Sequence, residues 1–224
     1  MTAILSEETK MRETITSVGK SLFDRGLTFG STGNISVRLS SGDMLMTPTN
    51  ASLGDLDPVR LSKFSAEGVH TGGDSPTKEA FLHQCMYCKR PQTGAVVHLH
   101  STYSVAVSIL ADIDPDDVLP PLTAYYVMRV GSLPLVPYFP PGDTALAEAV
   151  ALKAETSHAV LLANHGPVVA GKSLLDAQYA TEELEETAKL FLLLRGSALR
   201  PLTPKQRDDL LAAGTQQSAP GSAG

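Results

Sequence analysis

The feature that most constrains the fold is a short apolar run that ends in two histidines one residue apart. The run reads Gly94-Ala95-Val96-Val97-His98-Leu99-His100, and its length and β-branched content are typical of a buried strand. Residues two apart on a strand share a face and lie about 7 Å apart, so His98 and His100 are predicted to point the same way. Two polar rings at the end of such a strand would be costly to bury without a shared partner. The run therefore predicts a pair of ligands for one divalent cation.

The chain offers further ligands for such a cation on either side of this strand. Glu79 precedes it, and His165 follows it in a turn after an apolar run. Neutral imidazole nitrogen and carboxylate oxygen are good ligands for zinc and related cations, and a catalytic site needs three protein ligands with a position left for substrate. His98, His100 and His165 supply three nitrogens, which predicts a metal site. On the pattern alone, His165 could as well be an ordinary turn residue.

Helical and extended patterns alternate along most of the chain, which predicts one α/β domain. A length of 224 residues with 42% hydrophobic content is enough to bury a substantial core. The periodicity and turn residues predict helices over 6–25, 75–89, 102–110, 144–155 and 173–194, and strands over 34–39, 44–47, 93–100, 133–137, 158–163 and 168–170. We expect a folded domain over residues 1–200 and a C-terminal extension over 201–224. The polar last part of that extension is predicted to be disordered.

The charge and hydropathy patterns argue against two classes of protein. The net charge is −6 and lysine and arginine form no run, which argues against binding to nucleic acid. No apolar stretch reaches the length of a membrane span, and the first residues lack the apolar core of a signal sequence. We therefore expect no membrane association and a cytoplasmic location.

Two segments have the composition of anion-binding loops. Residues 30–36 place small hydroxyl and amide residues around glycines before a strand, where backbone N–H groups and the Thr32 and Asn34 side chains could hold a phosphate. Residues 75–79 combine a predicted helix N-terminus, a hydroxyl and an ammonium group, which favours an oxyanion. A plain glycine-containing turn and a capped helix start also explain the two segments.

Five short motifs together resemble the class II aldolase/adducin family in their order and spacing, over roughly residues 8–196. They are Thr32-Gly33-Asn34-Ile35-Ser36, Met46-Thr47-Pro48-Thr49, Pro76-Thr77-Lys78-Glu79, His98-Leu99-His100-Ser101 and Ala163-Asn164-His165-Gly166. Longer strings at 125–129, 134–138 and 182–190 resemble the bacterial 3-oxo-tetronate 4-phosphate decarboxylase branch of that family. The resemblance implies a three-layer α/β/α fold with a mainly antiparallel central sheet, and a homo-oligomer that is usually a tetramer.

The resemblance also implies roles for individual residues. It implies that His98, His100 and His165 bind one zinc ion per subunit, with manganese or another divalent ion as the alternative. Glu79 would be both a metal ligand and the catalytic acid/base. Binding of a substrate phosphate is implied for Thr32, Gly33, Asn34, Thr49, Thr77 and Lys78.

The activity implied is metal-dependent decarboxylation of 3-oxo-tetronate 4-phosphate, a small phosphorylated sugar acid, to dihydroxyacetone phosphate and CO2 through a metal-stabilised enediolate. A sugar-phosphate aldolase or 4-epimerase is the alternative, because aldol cleavage passes through the same enediolate. Family aldolases usually have two serines before the glutamate, where this chain has Thr77-Lys78, which argues against a plain fuculose-phosphate aldolase. A non-catalytic adducin-like scaffold is a minor alternative, because such members lack the metal histidines.

Two points of the resemblance stay open on the sequence. Lys78 could pair with the substrate phosphate or with the departing carboxylate. The tyrosine that family aldolases lend to a neighbouring subunit has no secure equivalent, and Tyr125 and Tyr126 are candidates for it.

Overall fold

The described part of the chain, residues 6–140 and 143–217 of a computed structural model, forms seven α-helices and eight β-strands. The helices are α1 (Glu7–Asp24), α2 (Ala80–Lys89), α3 (Thr102–Ser108), α4 (Ala124–Arg129), α5 (Thr144–Ala154), α6 (Leu174–Leu193) and α7 (Pro204–Gln217). The strands are β1 (Asn34–Arg38), β2 (Met44–Met46), β3 (Ser62–Phe64), β4 (His70–Gly72), β5 (Ala95–His98), β6 (Leu135–Val136), β7 (Ala159–Leu162) and β8 (Gly166–Gly171). None of the described helices has both the length and the apolar character of a membrane span.

All eight strands belong to one sheet, in the order β4-β3-β2-β1-β5-β8-β7-β6. Neighbouring strands run antiparallel except β6 and β7, which are parallel. β5, the strand predicted from the two-histidine run, lies near the middle. Its Val97 is opposite Ile35 of β1 on one side and Val169 of β8 on the other. The mainly antiparallel sheet is therefore confirmed.

Helices cover both faces of the sheet, which gives the predicted three layers. Successive residues of β5 point to opposite faces. Val97 packs in a cluster with Ile15 of α1 and residues of α6, whereas Val96 packs with Met86 of α2 and Val150 of α5. α3 and α4 extend the layer formed by α1 and α6. Burial of apolar side chains between these layers is the main stabilising term for such a fold.

The α2 helix begins later than its sequence pattern predicts. It begins at Ala80 rather than at residue 75, because the preceding segment pairs with the chain that follows β2. The N–H of Thr49 donates to the carbonyl of Ser75 at 2.9 Å, which holds this segment in an extended conformation. Glu79 consequently occupies the N-cap position of α2 instead of the first helical turn.

Four elements are absent from the sequence-based assignment. β3 and β4 have three residues each, too few for an alternating pattern to be recognised. α4 has six residues, and α7 is a polar helix within the predicted C-terminal extension. The extension packs back on the domain, where Nη2 of Arg207 donates to the carbonyl of Gly131 at 3.3 Å. The disorder predicted for residues 216–224 does not hold for 216 and 217, which end α7, and the rest of that segment lies outside the described part.

Candidate metal centre

Four side chains converge at the end of β5. The ligand atoms of Glu79, His98, His100 and His165 all lie within 4.8 Å of one another. Nε2 of His100 lies 3.2 Å from Nε2 of His98 and 3.1 Å from Nε2 of His165. The carboxylate of Glu79 places Oε1 2.9 Å from Nε2 of His165 and Oε2 3.4 Å from Nε2 of His98. The structure thus brings together the four residues that the sequence analysis singled out.

The four side chains come from three separate segments of the chain. Glu79 is the N-cap of α2, and His165 lies in the turn between β7 and β8. His98 is the last residue of β5, and His100 lies beyond the strand, just before α3. The predicted strand therefore ends two residues early. The rings of His98 and His100 nevertheless meet edge to face, with centroids 5.0 Å apart.

The turn that carries His165 has a backbone that few residue types adopt. Asn164 has a φ of +59°, in the left-handed region where asparagine is several-fold enriched. Its N–H donates to Oγ of Ser108 at 3.0 Å, and the N–H of His165 donates to the carbonyl of Leu162 at 3.2 Å. These contacts fix the direction in which His165 leaves the turn.

The ring orientation of His98 is set by a backbone carbonyl. His98 is fully buried, and its Nδ1–H donates to the carbonyl oxygen of Pro167 at 2.8 Å. Nε2 is therefore the nitrogen that faces the cluster, an arrangement typical of metal-binding histidines. Burial lowers the pKa of His98, but the charge of Glu79 and the hydrogen bond to it outweigh burial and raise the pKa overall.

The surroundings of Glu79 and His100 lower the pKa of both groups. Glu79 is therefore ionised and His100 is neutral. Burial by itself would raise the pKa of Glu79, but the adjacent His98 and His165 hold that pKa far below its usual range. Burial, reinforced by repulsion from His98 and His165, lowers the pKa of His100 to about 3. An ionised carboxylate and a neutral imidazole are the states in which these groups bind a metal.

Asn34 lies directly beside Glu79. It is opposite His98 in the β1–β5 pairing, and opposite residues share a face of the sheet. Nδ2 of Asn34 donates to Oε2 of Glu79 at 2.7 Å and to Oγ1 of Thr77 at 3.3 Å. Thr77 Oγ1 also accepts the N–H of Glu79 at 3.3 Å. Sequence reasoning missed this contact with Glu79, because it depends both on the β1–β5 register and on where α2 begins. A phosphate contact by Asn34 and Thr77 stays a prediction.

Thr32 and Gly33 lie on the loop that leads into β1. The hydroxyl of Thr32 donates to the carbonyl of Phe29 at 2.6 Å, and its oxygen lies 3.2 Å from Oγ1 of Thr28. Gly33 has a φ of +80°, and a β-carbon there would lie 3.0 Å from the Leu99 side chain and 3.1 Å from the carbonyl oxygen of His98. A glycine is therefore required where this loop packs against the end of β5.

Thr49 and Lys78 lie on the two segments that pair before α2. Thr49 is half-buried, and its backbone is anchored to Ser75 as described above. Lys78 is exposed and adjoins Glu79 in sequence. The N–H of Thr77 donates to the carbonyl of Thr47, so these two segments meet beside Asn34 and Glu79, which Thr77 contacts.

Comparisons with known proteins agree with this geometry. Residues 13–192 match the profile of the class II aldolase and adducin N-terminal domain. The chain is 50% identical over 199 residues, which are 89% of its length and 95% of the relative's, to 3-oxo-tetronate 4-phosphate decarboxylase of Haemophilus influenzae. It is 36% identical, over 78% of its length and 91% of the relative's, to L-fuculose phosphate aldolase of Methanocaldococcus jannaschii. The crystal structure of YgbL from Escherichia coli is similar with a TM-score of 0.89 and 47% identity, covering 92% of this chain and 100% of that one.

Proposed function

Because the chain belongs to the class II aldolase and adducin family, we propose that it is a metal-dependent lyase that converts 3-oxo-tetronate 4-phosphate to dihydroxyacetone phosphate and CO2. The observation that carries this proposal is the 50% identity, over nearly the whole chain, to a decarboxylase of that name. The relatives named as L-fuculose phosphate aldolases are more distant, at 36% identity or less. The complete set of four ligand atoms argues against a non-catalytic scaffold.

The donor set fits a divalent first-row cation. Three imidazole nitrogens and one carboxylate oxygen within 4.8 Å of one another suit zinc, and also manganese. We therefore propose one zinc ion per subunit, held by His98, His100 and His165 with Glu79 as a further ligand. When bound, such an ion acts as a Lewis acid that withdraws electrons from a substrate carbonyl.

Glu79 is the group that moves the proton. Loss of CO2 from a 3-oxo acid breaks the C1–C2 bond and leaves its electron pair on C2, where it conjugates with the 3-oxo group. The adjacent His98 and His165 hold the pKa of Glu79 low, so its carboxylate is ionised at rest, and when substrate enters it would act as the base toward the 2-hydroxyl instead of binding the ion. Glu79 then returns that proton to C2, and the hydroxyl oxygen regains one from water, so that one proton is consumed for each CO2 released.

The loops beside Glu79 orient the substrate. Phosphate would be held by backbone N–H groups of the 30–34 loop, by the hydroxyls of Thr49 and Thr77 and by Lys78, because the side-chain donors of Thr32 and Asn34 already donate to Phe29, Thr77 and Glu79. Fixing the phosphate end holds the C1–C2 bond in one orientation. Such orientation accounts for a large part of the lowering of the activation barrier in reactions of this kind. Lys78 is exposed and can neutralise either the phosphate or the carboxylate of the incoming substrate.

The proposed function is tested directly by product analysis. Metal-loaded protein is incubated with each C2 stereoisomer of 3-oxo-tetronate 4-phosphate, and CO2 and dihydroxyacetone phosphate are quantified. We expect equal amounts of both products from the native protein and a loss of at least about 100-fold with Glu79→Gln. The metal content of the variant is measured in parallel, so that loss of the acid/base is separated from loss of the ion. If the native protein holds its metal and releases no CO2 from either stereoisomer, the proposal is rejected.

The same samples distinguish the alternative. A class II sugar-phosphate aldolase would release an aldehyde together with dihydroxyacetone phosphate from L-fuculose 1-phosphate. A 4-epimerase would leave the number of carbons in its substrate unchanged. The similarity to the fuculose phosphate aldolases makes these substrates the next to be tried.

We further propose that the protein is a cytoplasmic homotetramer whose partner molecules are copies of itself and a small phosphorylated sugar acid. Tyr125 is 62% exposed, whereas Tyr126 is fully buried and its hydroxyl has no hydrogen-bond partner among the described residues. Tyr125 is therefore the better candidate to reach the site of a neighbouring subunit. Light scattering on the purified protein gives the assembly size.

A further inference from the structure

A continuous chain of hydrogen bonds runs from the interior of the α2 layer to the carboxylate of Glu79. Oη of Tyr87 lies 2.9 Å from Oγ of Ser36, which lies 2.7 Å from Nδ1 of His83. Nε2 of His83 contacts Oδ1 of Asn34, and Nδ2 of Asn34 donates to Oε2 of Glu79 at 2.7 Å. The side chains between the two ends are buried, with His83 and Ser36 fully so and Asn34 4% exposed.

The chemistry of the Asn34 amide gives this chain a direction. A carboxylate only accepts hydrogen bonds, so the amide must turn its NH2 group toward Glu79 and its oxygen toward His83. The nitrogen of His83 that meets this oxygen must then carry the proton. The other ring nitrogen of a neutral imidazole is an acceptor, so it receives the Ser36 hydroxyl, and Ser36 in turn accepts from Tyr87. Every donor along the chain therefore points toward Glu79.

The state of His83 agrees with this assignment. His83 is fully buried, and burial, aided by the positive charge of His98, lowers its pKa to about 3. The neutral ring is therefore present at physiological pH, with one donor and one acceptor nitrogen, as the chain requires.

We propose that His83 is a positioning residue, which acts through Asn34 to hold the Glu79 carboxylate in the orientation needed at the metal centre. The inference rests on the proposed function for its catalytic part, but its effect on metal binding does not. If the Asn34 amide turned over, its oxygen would face the carboxylate oxygen of Glu79, and the two acceptors would repel. The Nε2–H of His83 prevents that rotation. In the turned amide the NH2 group would take the place of the oxygen and would face the Nε2–H donor.

Two substitutions of His83 separate positioning from simple filling of the core. His83→Gln places an amide near the former Nε2 and can still donate to Asn34, but loses the contact with Ser36. His83→Asn reaches only as far as the former Nδ1, so it keeps the Ser36 contact and loses the one with Asn34. Tyr87→Phe removes the far end of the chain and is the control for a disturbed interior.

The experiment measures Co2+ affinity and the visible absorption spectrum of the Co2+ form, together with kcat and KM for the decarboxylation. We expect His83→Asn to weaken Co2+ binding and to lower kcat by about 10- to 100-fold, the range found when groups that orient metal ligands are removed, with KM changed less than about 3-fold. His83→Gln should recover most of both losses, and Tyr87→Phe should retain the native Co2+ spectrum and kcat.

Equal losses in His83→Asn and His83→Gln, or native Co2+ affinity and kcat in His83→Asn, would overturn the inference. If neither His83 variant folds, Asn34→Ala provides the second measurement: it removes the link between His83 and Glu79, so loss of Co2+ affinity there would support the inference and native affinity would overturn it. Because Co2+ binding requires no substrate, absence of decarboxylation in the native protein would reject the proposed function without deciding the role of His83.

Discussion

A β-carbon on Gly166 would lie 2.2 Å from the carbonyl oxygen of Leu99. The turn between β7 and β8 therefore lies directly against Leu99, which separates His98 from His100, at a distance that only glycine permits. Gly166 also has a φ of +148°, which residues with a side chain rarely adopt. The approach of these two backbones is what places His165 beside His100.

Gly166→Ala is expected to displace this turn. The new methyl group has only backbone around it, so the turn must move, and the cost is expected to be about 2–3 kcal/mol of unfolding free energy. Metal affinity should fall together with stability, because His165 precedes the altered residue. Gly196→Ala is the matched control, since Gly196 has a φ of +80° with open space around it. Chemical denaturation and a metal titration check both variants, and native metal affinity in Gly166→Ala would contradict this account of the turn.

His100→Ala is expected to reduce metal binding strongly. His100 contributes the nitrogen that lies close to both other histidines, and its loss should weaken the affinity by more than the roughly 10- to 100-fold typical of changes around the ligands. His70→Ala is the control, because His70 lies exposed on β4 at the far edge of the sheet. Metal content after dialysis gives the comparison, and an unchanged content in His100→Ala would exclude it as a ligand.

Glu185→Gln is expected to lower stability where Glu186→Gln does not. The buried carboxylate of Glu185 accepts the N–H groups of Tyr103 and Ser104 at 2.8 Å each, and the Ser104 hydroxyl at 2.6 Å. An amide in its place brings a donor against donors, at a cost of about 1.5–3 kcal/mol. Glu186 is mostly exposed, and its ion pair among the described residues is the one with Lys189, so its neutralisation should change the unfolding free energy by less than about 0.5 kcal/mol. Equal effects in urea denaturation would show that the three hydrogen bonds contribute little.

The pH dependence of stability provides a test of the buried state of His83. Its pKa is about 3 in the folded chain against an ordinary value of 6.5, so between these values the unfolded chain binds more protons. The contribution of His83 is therefore present above pH 6.5 and is lost as the pH falls toward 3. In metal-free protein, His83→Gln should flatten the fall in unfolding free energy across this range by up to about 1.4 kcal/mol per pH unit. Parallel curves for the two proteins would mean that folding does not lower the pKa of His83.

The sequence predicts the pairing of His98 and His100 well, because only Leu99 separates them and the apolar run before them requires a buried strand. It does not by itself bring Glu79 and His165 to them. That convergence depends on β8 pairing with β5 and on α2 packing over the same face, and strand order is not encoded in local periodicity. Before the fold is known, only the resemblance to a family links these positions.

The start of α2 shows a second limit. Pro76 and the helical pattern after it favour a helix from residue 75, but pairing with the segment after β2 overrides that local preference. This pairing places Glu79 at the N-cap of α2, at the edge of the cluster. The helix α7 was missed for the opposite reason, since its polar sequence has no apolar stripe from which it could be recognised.

The central position of β5 has a consequence for how the chain reaches its native state. Both neighbours of β5 in the sheet are distant from it in sequence, one toward each terminus, so the strand can be completed only after two large loops have closed. Non-local pairings of this kind slow folding, and here they bring the ligand side chains together only once the sheet is complete. An ion that binds the completed sheet but not the unfolded chain would stabilise it by mass action, by about 2.7 kcal/mol when the free ion is 100-fold above its dissociation constant.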